Sequence, residues 1–97
     1  MRLLFSGTAK KELESTIGYY NNQSEGLGFE FAIEIQEALG RIKNFTDSWP
    51  KFSKYTRRAR VKRFPYGVLY SARKEEIWIV AIMHLHCKPE NWLNRKI

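Results

Sequence analysis

The chain has 97 residues, 17 of them Lys or Arg against 10 Asp or Glu, for a formal net charge of +7, with 43% hydrophobic residues. That length allows one small domain with one core, residues 1–97, and the apolar content excludes disorder as the default state. A single cysteine, Cys87, excludes an internal disulfide framework, and the lack of a basic-then-apolar leader or of an apolar run near the roughly 20 residues of a membrane helix points to a soluble, cytoplasmic protein with no membrane partner.

Residues 2–5, RLLF, are too short for a helix and read as an edge strand that stops at Ser6-Gly7. Thr8 is placed to cap a helix whose Ala9, Leu13, Ile17 and Tyr20 line one face while Lys10, Lys11, Glu12 and Glu14 stay in water. That helix ends near Asn21-Asn22. The polar, glycine-bearing stretch from Asn21 to Gly28 then makes a tight connection into a second helix, about Leu27 to Phe45. Its apolar stripe is Phe31, Ile35, Ala38, Leu39, Ile42 and Phe45, with Glu30, Glu34, Glu37 and Arg41 opposite. Asp47 to Thr56, which contains Trp49-Pro50 and follows no period, reads as a loop.

Strands take over at Arg57. From Arg57 to Phe64 the residues alternate, Arg58, Arg60 and Lys62 on one face and Ala59 and Val61 on the other, and Pro65-Tyr66-Gly67 supplies a turn. Val68 to Ala72 returns, Lys74-Glu75-Glu76 turns again, and Ile77 to Met83 is apolar on both faces, as a central strand covered by helices would be. The class is therefore α+β, a two-helix hairpin packed on a small antiparallel sheet in the order β-α-α-β-β-β.

Chemistry-bearing residues concentrate in the third quarter of the chain. Seven Lys or Arg lie between Lys51 and Arg63 with no acid among them, a footprint suited to nucleic acid or to an acidic protein partner. His84 and His86, two apart on a strand, share a face with Val80 and Ile82 and lack a third ligand, so no metal site is expected. Either could act as a general base at neutral pH, while the structural alternative for His84 is a polar end to a core strand. Cys87 has no catalytic partner and reads as structural. Pro89 and Trp92 are suited to pinning the C-terminal segment over the sheet, and Trp49 and Tyr55 to anchoring the loop by packing.

The order of elements, the phrase from Arg63 through Phe64, Pro65, Tyr66 and Gly67 to Tyr70, and the later spacing of His84, Pro89 and Trp92 resemble the RelE/ParE superfamily of bacterial toxins, in its ParE-type branch. The resemblance covers nearly the whole chain. It implies the toxin half of a type II toxin-antitoxin (plasmid stabilisation) pair, held in a hetero-oligomer by a cognate antitoxin that masks it. It also implies structural roles for Phe64, Pro65, Tyr66, Tyr70, His84, Pro89 and Trp92. Members of the ParE branch inhibit DNA gyrase by binding, without turnover or cofactor, and the residues to contact the target would be Arg57, Arg58, Arg60, Lys62 and Arg63. RelE-type members cut mRNA on the ribosome. For that alternative, an endoribonuclease, the candidates are Arg58, Arg60, Lys62, His84 and Lys88, but Gly67 falls where those enzymes carry an Arg and Cys87 where many relatives carry another. A third reading is an inactive member that binds only its antitoxin.

Overall fold

The computed structural model describes residues 2–86, so Cys87, Lys88, Pro89 and Trp92 lie outside the described residues. The elements are β1 (Arg2–Phe5), α1 (Gly7–Gln23), α2 (Leu27–Asn44), β2 (Arg57–Arg60), β3 (Tyr66–Arg73) and β4 (Glu76–His84). They form the expected α+β arrangement of a helical hairpin on a four-stranded sheet, ordered β1-β4-β3-β2. β2, β3 and β4 pair antiparallel, whereas β1 runs parallel to β4, with Arg2 opposite Glu76 and Phe5 opposite Ile79. The sheet is thus mixed, because the two helices supply the long crossover that parallel pairing requires.

The helices cover one face. Phe31, Ile35, Ala38 and Ile42 of α2 and Ala9 of α1 are buried against Ala59, Val68, Tyr70, Ile77, Ile79 and Ile82 of the sheet. Each large apolar side chain removed from water there contributes about 1.5–3 kcal/mol. Leu13, Ile17 and Tyr20 pack beside them, as the spacing along α1 predicts. Gly28 brings the helices into close contact, its N–H donating to Asn21 Oδ1 at 2.7 Å, and a Cβ at this position would overlap the Ile17 carbonyl oxygen.

Several local expectations give way to tertiary demands. Ser6, not Thr8, caps α1: its hydroxyl accepts from the Ala9 N–H and donates to the Val80 carbonyl, both at 3.1 Å, so one side chain ties the helix start to β4. The helix runs on to Gln23, where Ser24 N–H closes it on the Tyr20 carbonyl. Glu12 is not merely solvated, because its carboxylate accepts the Ile82 N–H at 3.1 Å. That donor lies beyond the last β1–β4 pair, so a helix side chain replaces the missing strand. In α2, Glu34 is only 9% exposed and belongs to the buried side, whereas Phe45 is 59% exposed as the C-cap.

The strand bounds also shift. β2 ends at Arg60, and the turn occupies the residues before Tyr66, with Arg63 at φ 71° in the left-handed region. Tyr66 and Gly67 already belong to β3, and Glu76 to β4. Between Leu69, opposite Ala81, and Tyr70, opposite Ile79, the register slips by one, leaving Val80 as a bulge. A bulge reverses which residues face which side. Ile77 and Ile79 before it and Ile82 after it therefore all face the helices, while Val80, Ala81 and Met83 join Leu69 and Phe52 on the other face. The apolar run is thus buried on both faces but covered by helices on only one. No helix among the described residues is long and apolar enough to cross a membrane.

Candidate docking face

Directly opposed residues of an antiparallel pair share a face. Ala59 lies opposite Val68 and Arg57 opposite Tyr70, on the helix side, so Arg58, opposite Leu69, and Arg60, opposite Gly67, project from the helix-free side. This follows the alternation seen in the sequence. Arg60 and Lys62 are exposed and Arg58 is half-buried.

Arg58 is held from two directions. Its guanidinium carbon lies 5.4 Å from the Phe52 ring centroid, a cation–π contact. Its aliphatic stem crosses Gly67, where an added Cβ would stand 2.9 Å from Cγ and 3.0 Å from Cδ. The glycine that removes a cation expected of a nuclease is therefore the floor on which another cation rests.

The remaining basic residues of the run turn elsewhere. Arg57 donates to the Trp49 carbonyl at 2.7 Å. Arg63, redirected by its positive φ, donates to Glu30 at 2.7 Å and lies 3.8 Å from Glu34, which ties the turn to α2. The Glu30 contact raises the Arg63 pKa further above its ordinary value. Arg41 of α2 donates to the Arg60 carbonyl at 3.3 Å, closing part of the outer edge of β2. Of the five cations proposed from sequence to contact a target, the structure places Arg58 and Arg60 together on the helix-free face, leaves Lys62 in solvent beyond the strand, and engages Arg57 and Arg63 within the fold.

His84 lies on the opposite side of the sheet. The bulge puts it with Ile82 and not with Val80, and its ring packs 5.1 Å from Tyr66, which packs on Phe31 and Tyr20. Its Nδ1 accepts the His86 N–H at 3.1 Å, and the two imidazoles stand 5.1 Å apart. The sheet therefore separates this imidazole from the Arg58–Arg60 row. Among the described residues no group of three His, Cys, Asp or Glu side chains is placed to hold a metal ion.

The aromatic residues of the signature phrase sit within or beside the core. Phe64 stacks edge-on against Tyr20 and Phe31, and the Pro65 carbonyl accepts the Leu85 N–H at 2.9 Å. Tyr70 is fully buried and donates to the Thr46 carbonyl at 2.5 Å. Burial raises its pKa, the nearby Arg57 opposes that and Asp47 adds to it. Burial likewise raises Tyr20, with Tyr66 and Tyr19 contributing. Trp49 packs against the core as the sequence suggests, but Tyr55 is 73% exposed and is not an anchor. Sequence reasoning missed Phe52 as the partner of Arg58 and the Glu30–Glu34 clamp on Arg63. One aromatic among three in an aperiodic loop and a left-handed arginine carry no local signal.

Residues 3–86 match the family of ParE toxins of type II toxin-antitoxin systems. No curated protein matches the chain. Among solved structures, the fold is similar to a chain of the chromosomal ParDE toxin-antitoxin system from P. aeruginosa, with a TM-score of 0.69 at 16% identity over 87% of this chain and 95% of that one.

Proposed function

The chain belongs to the ParE toxin family of type II toxin-antitoxin systems, and from that premise we propose that it acts in the cytoplasm by docking on DNA gyrase through Arg58 and Arg60, and that a cognate antitoxin neutralises it in a hetero-oligomer by covering this face. The observation that carries the reading is the Phe52–Arg58–Gly67 stack. It fixes one cation on a rigid sheet, which lowers the side-chain entropy lost when a partner's anionic group is bound. A docking surface gains from such preorganisation and needs no acid or base converging on a reacting atom. Cleavage of RNA would need an acid or base converging with the cations on the reacting atoms, and His84 lies across the sheet from them.

The test is a gyrase supercoiling assay with the purified toxin, in parallel with mRNA end mapping on translating ribosomes. Wild-type protein is expected to inhibit supercoiling and leave the mRNA intact, and Arg58→Ala/Arg60→Ala, shown folded by circular dichroism, to lose inhibition. Discrete, codon-phased cuts by the wild type that vanish in Arg60→Ala would replace this reading with the endoribonuclease.

A further inference from the structure

Helix α2 is apolar on two sides. One is the core face, where Phe31, Ile35, Ala38 and Ile42 are buried against the sheet. The other stands in water: Phe29 is 65% exposed and Ile33 55%. These two interrupt the polar face of Glu30, Glu37 and Arg41. Together with Gln36, Gly40 and Lys43, all exposed, they recur at alternating steps of four and three residues. That spacing is the one that keeps a seam of a helix turned toward a partner helix.

The seam is self-complementary. A two-fold axis crossing α2 between Glu34 and Ile35 runs two copies antiparallel, with Phe29 of one opposite Gly40 of the other and Ile33 opposite Gln36. Gly40 lies inside the helix, where glycine is disfavoured against alanine. Its backbone is not left-handed, and a Cβ there would meet nothing within 4 Å. The single chain makes no packing demand for this glycine, whereas an opposing phenyl ring does. The first turn of α2 carries Glu30 and the last carries Arg41 and Lys43. Antiparallel alignment therefore brings the acidic end of each helix to the basic end of the other and pairs their dipoles favourably. Over its length α2 has three Glu against one Arg and one Lys, so two chains of net charge +7 meet there without a positive excess.

We propose that the outer seam of α2 is a self-association surface, on which a second copy of this chain docks its own α2 in antiparallel fashion. A copy fits better than a foreign helix because the ring, the recess and both charged ends find their complements at symmetry-related positions of the same seam. One pair of helices lies at the small end of specific interfaces, which sets a weak dimer that dissociates at about 10–100 µM. The Arg58–Arg60 row projects from the helix-free side of the sheet. The dimer thus leaves both rows uncovered and carries them on one particle, which strengthens its hold on any target that offers two sites.

The test is sedimentation velocity of the purified toxin from about 1 µM to about 0.3 mM. The wild type is expected to pass from monomer to dimer and to stop there. Ile33→Glu should abolish the dimer over this range, because it places two carboxylates in the middle of the seam. Gly40→Ala separates association from folding. It should raise the melting temperature of the dilute protein by a few degrees through helix propensity, while weakening the dimer at least about 5-fold by filling the recess for Phe29. Tyr55→Ser removes a strongly exposed ring outside the seam and should leave the dimer within about 2-fold of wild type. Melting curves verify that all three variants fold. A monomer at every concentration, a dimer indifferent to Ile33→Glu or to Gly40→Ala, equal weakening by Tyr55→Ser, or growth beyond two copies would overturn the proposal. The readout is the mass of the toxin alone, so a negative result leaves the gyrase reading standing, and a failed supercoiling assay leaves this one standing.

Discussion

A methyl group at position 67 would occupy the space crossed by the Arg58 stem. Because the obstructing atoms belong to a flexible side chain, Gly67→Ala is expected to move Arg58 off Phe52 at little cost to the fold. Losing a partly exposed cation–π contact is worth about 0.5–1 kcal/mol. The variant should therefore melt within a few degrees of wild type yet need several-fold more protein for half-maximal inhibition of supercoiling. Phe52→Ala should weaken inhibition similarly, by removing the ring instead of filling the floor. Tyr70 gives a prediction in pH. Burial raises its native pKa above the ordinary tyrosine value of about 10, so the folded state holds the phenolic proton more tightly than the unfolded chain. Its contribution is complete below that ordinary value and is lost as pH rises through the raised one. Tyr70→Phe should cost about 1 kcal/mol at neutral pH, through the lost bond to Thr46. It should also flatten the alkaline fall in stability, as read by urea denaturation at neutral pH and above about pH 10.

Helix packing is the most demanding element-level feature. A Cβ on Gly28 would strike the backbone carbonyl of Ile17, and backbone cannot swing aside as the Arg58 stem can. Gly28→Ala is therefore expected to force α1 and α2 apart and to lower stability by about 1–3 kcal/mol, whereas Asn21→Ala should lose about 1 kcal/mol for one hydrogen bond. Urea midpoints at unchanged slope would check both. The helical stripes were legible because a period of 3.6 repeats over many residues, as Phe31, Ile35, Ala38 and Ile42 do. The sheet was less so. The run from Ile77 to Met83 is apolar at nearly every position, so no contrast marks where Val80 bulges and the faces exchange. Without that bulge His84 would share a face with Val80. Arg60 and Lys62 keep the alternation going past the true end of β2, where the left-handed backbone at Arg63 and its contact with α2 take the chain out of the ladder. For the docking face, the side on which Arg58 and Arg60 lie could be read from the alternation. Their support could not, since Phe52 approaches from a different segment.

At the scale of the whole molecule, a net charge of +7 coexists with exposed ion pairs at Arg2–Glu76 and Arg63–Glu30, each worth only about 0–1 kcal/mol. Salt should therefore leave the melting temperature nearly unchanged while weakening association with an acidic partner, by about 10-fold or more between low and roughly half-molar salt. Calorimetry of the isolated toxin and titration with the partner would separate the two responses. The parallel pairing of β1 with β4 adds a consequence in time. β1 precedes every other described element along the chain, and its partners span Glu76 to Ile79, a separation of 74 residues. The helical hairpin and the β2–β3 pair need no residue beyond Arg73, but Leu3 and Phe5 stay unpaired until Ile77 and Ile79 are in place. The pairing of longest sequence separation thus sets the pace of folding, because the entropy of closing so long a loop is lost before the strand contacts return it.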